Sequence, residues 1–167
     1  MKIRKVEEFP MKDHVVLIGA RDSHFAEFLA SDEERKYLKE KLGKNKTQVT
    51  INQFSRQVFI QVLENGKKEN YQLMEGLRIA ASNLLAEIRF HEIKRITIVH
   101  IDGSCDAVLA FAEGLALANY QFLKYFKDKD NKKTSLTEIR LACPLIENKC
   151  IDNLQNPTCN STGSITI

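Results

Sequence analysis

The chain has 167 residues, which suits a single domain with a sizeable core. Hydrophobic residues make up 43% and charged residues 28%, as in an ordinary globular domain. The net charge is only +3 and no apolar run is long enough to span a bilayer, so we expect neither nucleic acid nor a membrane as a partner. The N-terminus lacks the apolar segment of a secretory signal, which predicts a cytoplasmic location.

The first part of the chain is predicted to begin with a strand and a helix. His14–Gly19 is a short apolar run ending in glycine, which predicts a buried strand. Asp22 or Ser23 is then a candidate N-cap for a segment that is helical in places as far as Leu42. Two further strands are predicted at Val49–Phe54 and Gln57–Leu63, and Asn65-Gly66 is predicted to form a turn after the second of them.

The second part alternates long helices with strands. Leu73–Phe90 carries apolar residues at helical spacing, and Arg95–Ile101 is a β-branched run typical of a strand. A second long helix is predicted at Asp106–Phe126, and a last strand at Glu138–Cys143. This order predicts an α/β layered domain with right-handed crossovers.

Composition divides the chain near residue 145. Residues 1–145 hold the predicted elements, whereas residues 146–167 are rich in Asn, Ser and Thr without periodicity. We therefore predict one domain followed by an irregular tail or the start of a linker. The four cysteines form no C-x-x-C pair, which predicts reduced structural thiols rather than a zinc or redox motif. They are Cys105, Cys143, Cys150 and Cys159.

The second long helix carries an Ala-Glu-Gly triplet that could suggest a metal-ligating carboxylate. Ala110, Gly114 and Ala118 form a stripe of very small side chains, which predicts a close approach to a sheet or to another helix. Glu113 has no metal-binding side chain within one helical turn. We therefore predict a solvent-facing or capping glutamate and no metal ligand.

A polar cluster follows the strand Arg95–Ile101. One hypothesis makes Cys105 a nucleophile, with a thiol pKa lowered at the helix N-terminus and with His100 and Asp102 on one side of the strand. The alternative is that Asp102 or Ser104 caps the helix and Cys105 is buried, and we favour it because capped polar turns are common. On this view the chain has no catalytic residue.

The same turn would lie at the carboxyl end of a strand, where open α/β sheets bind ligands. A stand-alone module that binds ADP-ribose or another nucleotide is therefore an alternative function. The chain offers no paired glycines for a phosphate-binding loop, since Gly19 and Gly103 are single. We accordingly expect no cofactor in this chain.

The helix motif from Val108 to Tyr125, V-x-x-x-A-E-G-x-x-L-x-x-Y-x-F-x-x-Y, resembles the end of the N-terminal domain of the leucyl (cytosol) aminopeptidases. Leu77-Arg78-Ile79-Ala80-Ala81 is similar to that family's LRKA helix. The resemblance implies a macro-domain-like α/β fold: a three-layer structure with a mixed, mostly parallel sheet flanked by helices.

The resemblance also implies a role. In that family of two-metal exopeptidases the N-terminal domain is not catalytic, precedes a catalytic domain that binds zinc or manganese, and helps to build a hexamer. The family's metal-binding run, Asn-Thr-Asp-Ala-Glu-Gly-Arg, does not occur here. The resemblance therefore implies a scaffold whose partners are a C-terminal catalytic domain and copies of the same chain, with no peptidase activity of its own.

Overall fold

The computed structural model describes residues 1–8, 11–64, 69–125 and 136–155. Within them, six strands form one sheet in the order β1–β6–β5–β2–β4–β3. Neighbouring strands run parallel, except that β3 is antiparallel to β4. The strands are β1 (Lys2–Lys5), β2 (Val15–Ala20), β3 (Gln48–Asn52), β4 (Gln57–Leu63), β5 (Arg95–His100) and β6 (Glu138–Ala142).

Helices cover both faces of this sheet, which confirms the predicted three-layer α/β class. A 3₁₀ turn at Phe25–Phe28 and helix α1 supply side chains to the core on one face. Helices α2, α3 and α4 cover the other face. The helices are α1 (Asp32–Gly43), α2 (Asn70–Phe90), α3 (Cys105–Tyr125) and α4 (Asn148–Gln155).

The sequence of the central strand β2 does not alternate between apolar and polar residues, because both faces of the strand are buried. Val15 and Leu17 point to the core under α1, whereas Val16 and Ile18 point to the core under α2 and α3. All four are fully buried. A strand covered on both faces needs apolar residues at every position, which is the pattern that predicted it.

Helices α2 and α3 approach each other so closely that one position must be glycine. A Cβ atom on Gly114 would lie 2.6 Å from the Cα of Arg78 and would also meet the Arg78 carbonyl oxygen. The contact is therefore made between two backbones. This confirms the close approach predicted from the small-residue stripe, and it identifies the neighbour as a helix.

The helix predicted after Asp22 and Ser23 begins later than expected. The chain forms only a 3₁₀ turn at Phe25–Phe28, and Leu29 is extended. Ser31 then caps α1, and its hydroxyl accepts a hydrogen bond from Glu34 N–H at 3.2 Å. Three acidic residues follow in the first turn, where they favour a helix start through the helix dipole.

The prediction of an irregular tail is wrong for residues 148–155. They form α4, whose Ile151 is buried with the α2–α3 side of the core. The side chain of Gln155 also donates to the carbonyl oxygen of Ile3 in β1, at 2.9 Å. Other predictions lie outside the described residues: the Asn65-Gly66 turn, Phe126, the loop 127–133 and the tail 156–167.

The described helices include none that is both long enough and apolar enough to cross a membrane.

Candidate functional site at the β5–α3 turn

The turn between β5 and α3 is built from a glycine and a capping serine. Strand β5 ends at His100, and Gly103 has a φ of +82°, a backbone conformation that favours glycine. The Ser104 hydroxyl accepts a hydrogen bond from Ala107 N–H at 3.4 Å. The predicted helix cap is therefore present, and Ser104 provides it.

His100 is buried and stabilises this turn through one ring nitrogen. Its Nδ1 accepts hydrogen bonds from the backbone N–H groups of Asp102 and Ser104, both at 3.1 Å. Burial lowers the pKa of His100, and the nearby Asp102 carboxylate partly opposes this shift. Because Nδ1 is an acceptor, the neutral ring carries its proton on Nε2. That Nε2 is buried and has no hydrogen-bond partner among the described residues.

Asp102 is not paired with the imidazole through its side chain. Its carboxylate accepts a hydrogen bond from the Ser23 hydroxyl at 2.9 Å, which ties the turn after β5 to the turn after β2. Asp102 itself is exposed, whereas His100 is 9% exposed. The two side chains are near each other, as the sequence predicted, but they do not form an acid–base pair.

Cys105 forms a disulfide with Cys143, with their Cα atoms 5.9 Å apart. The prediction of reduced thiols is wrong for these two residues, while Cys150 is free. The pairing was not predicted because 38 positions separate the two cysteines, and the parallel β5–α3–β6 crossover brings them to the same edge of the sheet. In this state Cys105 has no thiol, and the thiol mechanism would first require reduction.

A cavity of about 240 Å³ adjoins this turn. Its walls are His100, the turn residues Gly103 and Ser104, Val108 of α3, and the segment 142–145 at the end of β6. We call it the His100 cavity. Most of its lining is apolar, and it lies at the carboxyl ends of β5 and β6, where ligands of open α/β sheets bind.

Glu113 of the Ala-Glu-Gly triplet forms an ion pair between helices. Its carboxylate accepts a hydrogen bond from Arg78 Nε at 2.6 Å, beside the Gly114 contact. The Glu113 side chain is 38% exposed, so it is not fully solvated. The prediction of a solvent-facing or capping glutamate therefore missed the ion pair that Glu113 forms with Arg78 of α2.

The zinc or manganese implied by the family resemblance has no ligand set in the described part of the chain. No group of three or more His, Cys, Asp or Glu side chains there is arranged to hold a metal ion. These residues do not fit a two-metal centre, and we derive no metal-dependent step from them.

Comparisons with known proteins identify a solved structure with a similar fold. No protein-family model matches the chain, and no curated protein matches it. Among solved structures, a mutant of tomato leucine aminopeptidase is similar, with a TM-score of 0.59 and 12% sequence identity. The match covers 96% of this chain and 36% of that chain, so the chain spans about a third of that relative's length. At this identity the similarity shows a shared fold.

Proposed function

We propose that this chain is a non-catalytic scaffold domain of a leucyl-aminopeptidase-like metallopeptidase. In this role it packs on a catalytic domain that holds zinc or manganese and supports a homo-oligomer. The complete hydrolase, a cytoplasmic protease, would remove N-terminal amino acids from peptides. The observation that carries the proposal is the fold match, which covers 96% of this chain but 36% of the aminopeptidase chain.

Two features of the described residues support a scaffolding role. The motif helix α3 packs backbone to backbone on α2 at Gly114, so its defining residues stabilise the domain. The turn amides of Asp102 and Ser104 are already bonded to His100, which leaves them unavailable to a phosphate group. This second feature argues against the nucleotide-binding alternative at that turn.

The disulfide bears on the proposed location. Disulfides persist mainly in oxidising compartments and are rare in the cytosol. The Cys105–Cys143 bond therefore does not favour the cytoplasm. The cytoplasmic location stays a prediction, and fractionation of the native source, followed by immunodetection of the chain, tests it.

The first experiment measures activity. The purified chain is incubated with leucyl-p-nitroanilide and with zinc or manganese, in a preparation free of host peptidases. We expect no p-nitroaniline release. Release that follows the chain through a further purification step would contradict a non-catalytic role.

The second experiment tests the scaffold itself. The chain's transcript is sequenced on both sides of the coding region, and the native protein is purified under mild cross-linking. We expect either a continuous reading frame into a metallopeptidase domain or a cross-linked metallopeptidase subunit. If the native protein shows neither, the scaffold proposal is wrong, whatever the result of the activity assay.

A further inference from the structure

Strand β1 leaves part of its backbone unpaired at the edge of the sheet. It is the outermost strand, beside β6. The N–H groups of Lys2 and Val6 donate to carbonyl oxygens in and next to β6, at 2.8 and 3.0 Å. Because backbone groups alternate in direction along a strand, those of Ile3 and Lys5 face away from the sheet.

Three of these outward groups have no partner in the described part of the chain. The Ile3 carbonyl accepts a hydrogen bond from Gln155 Nε2 at 2.9 Å. No described residue bonds to the Ile3 N–H, the Lys5 N–H or the Lys5 carbonyl. An extended segment beside β1 would pair with such groups as a strand pairs within a sheet.

The side chains of β1 make this edge cationic. Three of its four residues are basic and exposed: Lys2, Arg4 and Lys5. Lys2 and Arg4 lie on the face opposite the buried Ile3, because alternate side chains point to opposite faces. The acidic residues Glu7 and Glu8 come only after the strand has ended, so the strand itself is not neutralised.

The acidic side chain beside these cations is already paired. Glu138 of β6 is 9% exposed and forms ion pairs with three arginines. They are Arg4 at 3.7 Å, Arg95 at 3.4 Å and Arg140 at 2.9 Å. Arg140 also pairs with Asp13 at 2.7 Å. Two carboxylates thus face three guanidinium groups, which leaves a surplus of positive charge next to the unpaired edge.

These charges oppose pairing with a second copy of the chain. If two β1 strands paired antiparallel about their centres, Lys2 of each copy would lie opposite Lys5 of the other. Like charges directly opposite each other destabilise a strand pair, and lysine on an edge strand commonly prevents such association. The occupant that the edge favours is therefore an acidic segment.

A hollow beside the edge favours apolar side chains at alternate positions. Its volume is about 110 Å³, and it is lined by Met1, which precedes β1, and by Gln155, which bonds to Ile3. Leu123 and Leu154 are apolar parts of its wall. Leu154 packs against the core cluster that contains Ile3, so the hollow is on the face away from the exposed cations. A strand that alternates acidic and apolar side chains matches both faces.

We propose that the β1 edge binds an extended acidic segment of a partner protein as an added strand. Acidic side chains at every second position face Lys2 and Arg4, and the apolar side chains between them face the hollow. The backbone of the segment pairs with Ile3 and Lys5. This inference does not rest on the scaffold function, because the edge can bind such a segment whether or not the chain serves a metallopeptidase.

The probe is the capped peptide Glu-Val-Glu-Val-Glu-Val-Glu, added to the full chain, and amide hydrogen exchange by NMR is the readout. In the free chain, the amides of Ile3 and Lys5 should exchange faster than that of Arg4, and the peptide should slow them saturably. No saturable slowing would overturn the proposal. Equally slow exchange of Ile3, Lys5 and Arg4 in the free chain would also overturn it, since another part of the chain or a second copy would then cover the edge.

Three further ligands test the chemistry of the occupant. A peptide with lysine in place of every glutamate should not bind, because it keeps the alternation but reverses the charge. A peptide with proline in place of the central valine lacks a backbone donor and should bind about tenfold more weakly. A short oligothymidylate should leave the Ile3 and Lys5 amides unprotected. Binding of the lysine or proline peptide equal to that of the probe, or equal protection by the oligonucleotide, would overturn the proposal.

Two substitutions at one position test the backbone contact. Lys5→Pro and Lys5→Gln both remove the charge, but only proline removes the outward N–H, and proline is tolerated on the free side of an edge strand. We expect Lys5→Pro to weaken peptide binding about fivefold or more relative to Lys5→Gln. Equal affinity of the two variants would show that the backbone of β1 is not the contact.

A double variant tests the charges. Lys2→Glu/Arg4→Gln should weaken peptide binding about tenfold or more. Lys36→Glu/Lys39→Gln is the matched control, because it changes the net charge equally at exposed positions of α1, near the opposite edge strand β3. Equal affinity of the two double variants would overturn the proposal. Thermal unfolding of each variant is measured first, and the peptide comparisons need only the wild-type chain, so they decide if a variant does not fold.

Discussion

Helices α1 and α3 contribute to opposite faces of one sheet but are held there by different forces. Among the twelve residues of α1, Leu38 alone is buried. Polar contacts at its ends fix it instead: Ser31 caps its start, and the Arg21 guanidinium donates to the Leu42 carbonyl at 2.5 Å. By contrast, α3 buries a long row of side chains. They include Ala107, Val108, Ala110, Phe111, Ala112, Leu115 and Ala116.

These different forces determine which changes each helix tolerates. The position of α3 depends on the shapes of close-packed groups and on one covalent bond, so small changes in volume should cost much. The position of α1 depends on hydrogen bonds to its ends, each of which contributes about 1 kcal/mol. Three predictions, in decreasing order of their effect on stability, test this contrast.

The disulfide that anchors the start of α3 should have the largest effect. The bond closes a loop across 38 positions, and we expect its loss in a Cys105→Ala/Cys143→Ala variant to lower the free energy of unfolding by about 2–4 kcal/mol. Urea unfolding measures this. Cys150→Ala is the control, since Cys150 is free. A peptide map of the wild-type chain without a 105–143 cross-link would contradict the premise.

The glycine in the α2–α3 contact should come next. Gly114→Ala places a Cβ atom against the Arg78 backbone, and we expect a loss of about 1–3 kcal/mol despite alanine's higher helix propensity.

Gly76→Ala is the matched control for this change, because Gly76 lies within α2 and has nothing within 4 Å of an added Cβ. It should stabilise the chain by up to about 1 kcal/mol. Urea unfolding of both variants gives the comparison. If Gly114→Ala and Gly76→Ala shift the free energy of unfolding in the same direction, the inferred close contact between the backbones of α2 and α3 is wrong.

The cap of α1 should have the smallest effect. Ser31→Ala removes the acceptor for Glu34 N–H, and we expect a loss of about 1 kcal/mol. Ser82 is exposed on α2, so Ser82→Ala should change stability little. Thermal unfolding of the two variants measures the difference. A loss for Ser31→Ala as large as that for Gly114→Ala would remove the contrast between α1 and α3.

The fold was more predictable where an element is long or buried on both faces. The apolar run of β2 and the helical spacing of apolar residues in α2 are visible in the sequence, because many positions of each element must carry a buried apolar side chain. Strand β1 was not predicted, since of its four residues Ile3 alone is buried and its partner β6 lies more than a hundred positions away. Helix α4 is short and depends on the same distant elements.

The candidate site was predicted only in part. His100, Asp102 and Ser104 were placed at one turn from the order of strand, turn and helix, and that turn exists. Their separate roles were not predicted: a buried imidazole that accepts two turn amides, and an exposed carboxylate bonded to Ser23. No local signal in the sequence indicates which nitrogen of an imidazole is left without a partner.

The amino-acid pattern alone was enough for the α/β class, the main helices and strands, and the stripe that predicts a close helix approach. These features follow from patterns repeated over neighbouring residues, which the chain carries locally. The Gly114–Arg78 contact, the Cys105–Cys143 pairing and the cavity beside His100 became visible only in the folded chain. Each of these needs residues from separate elements, and only the sheet with its crossovers brings such residues together.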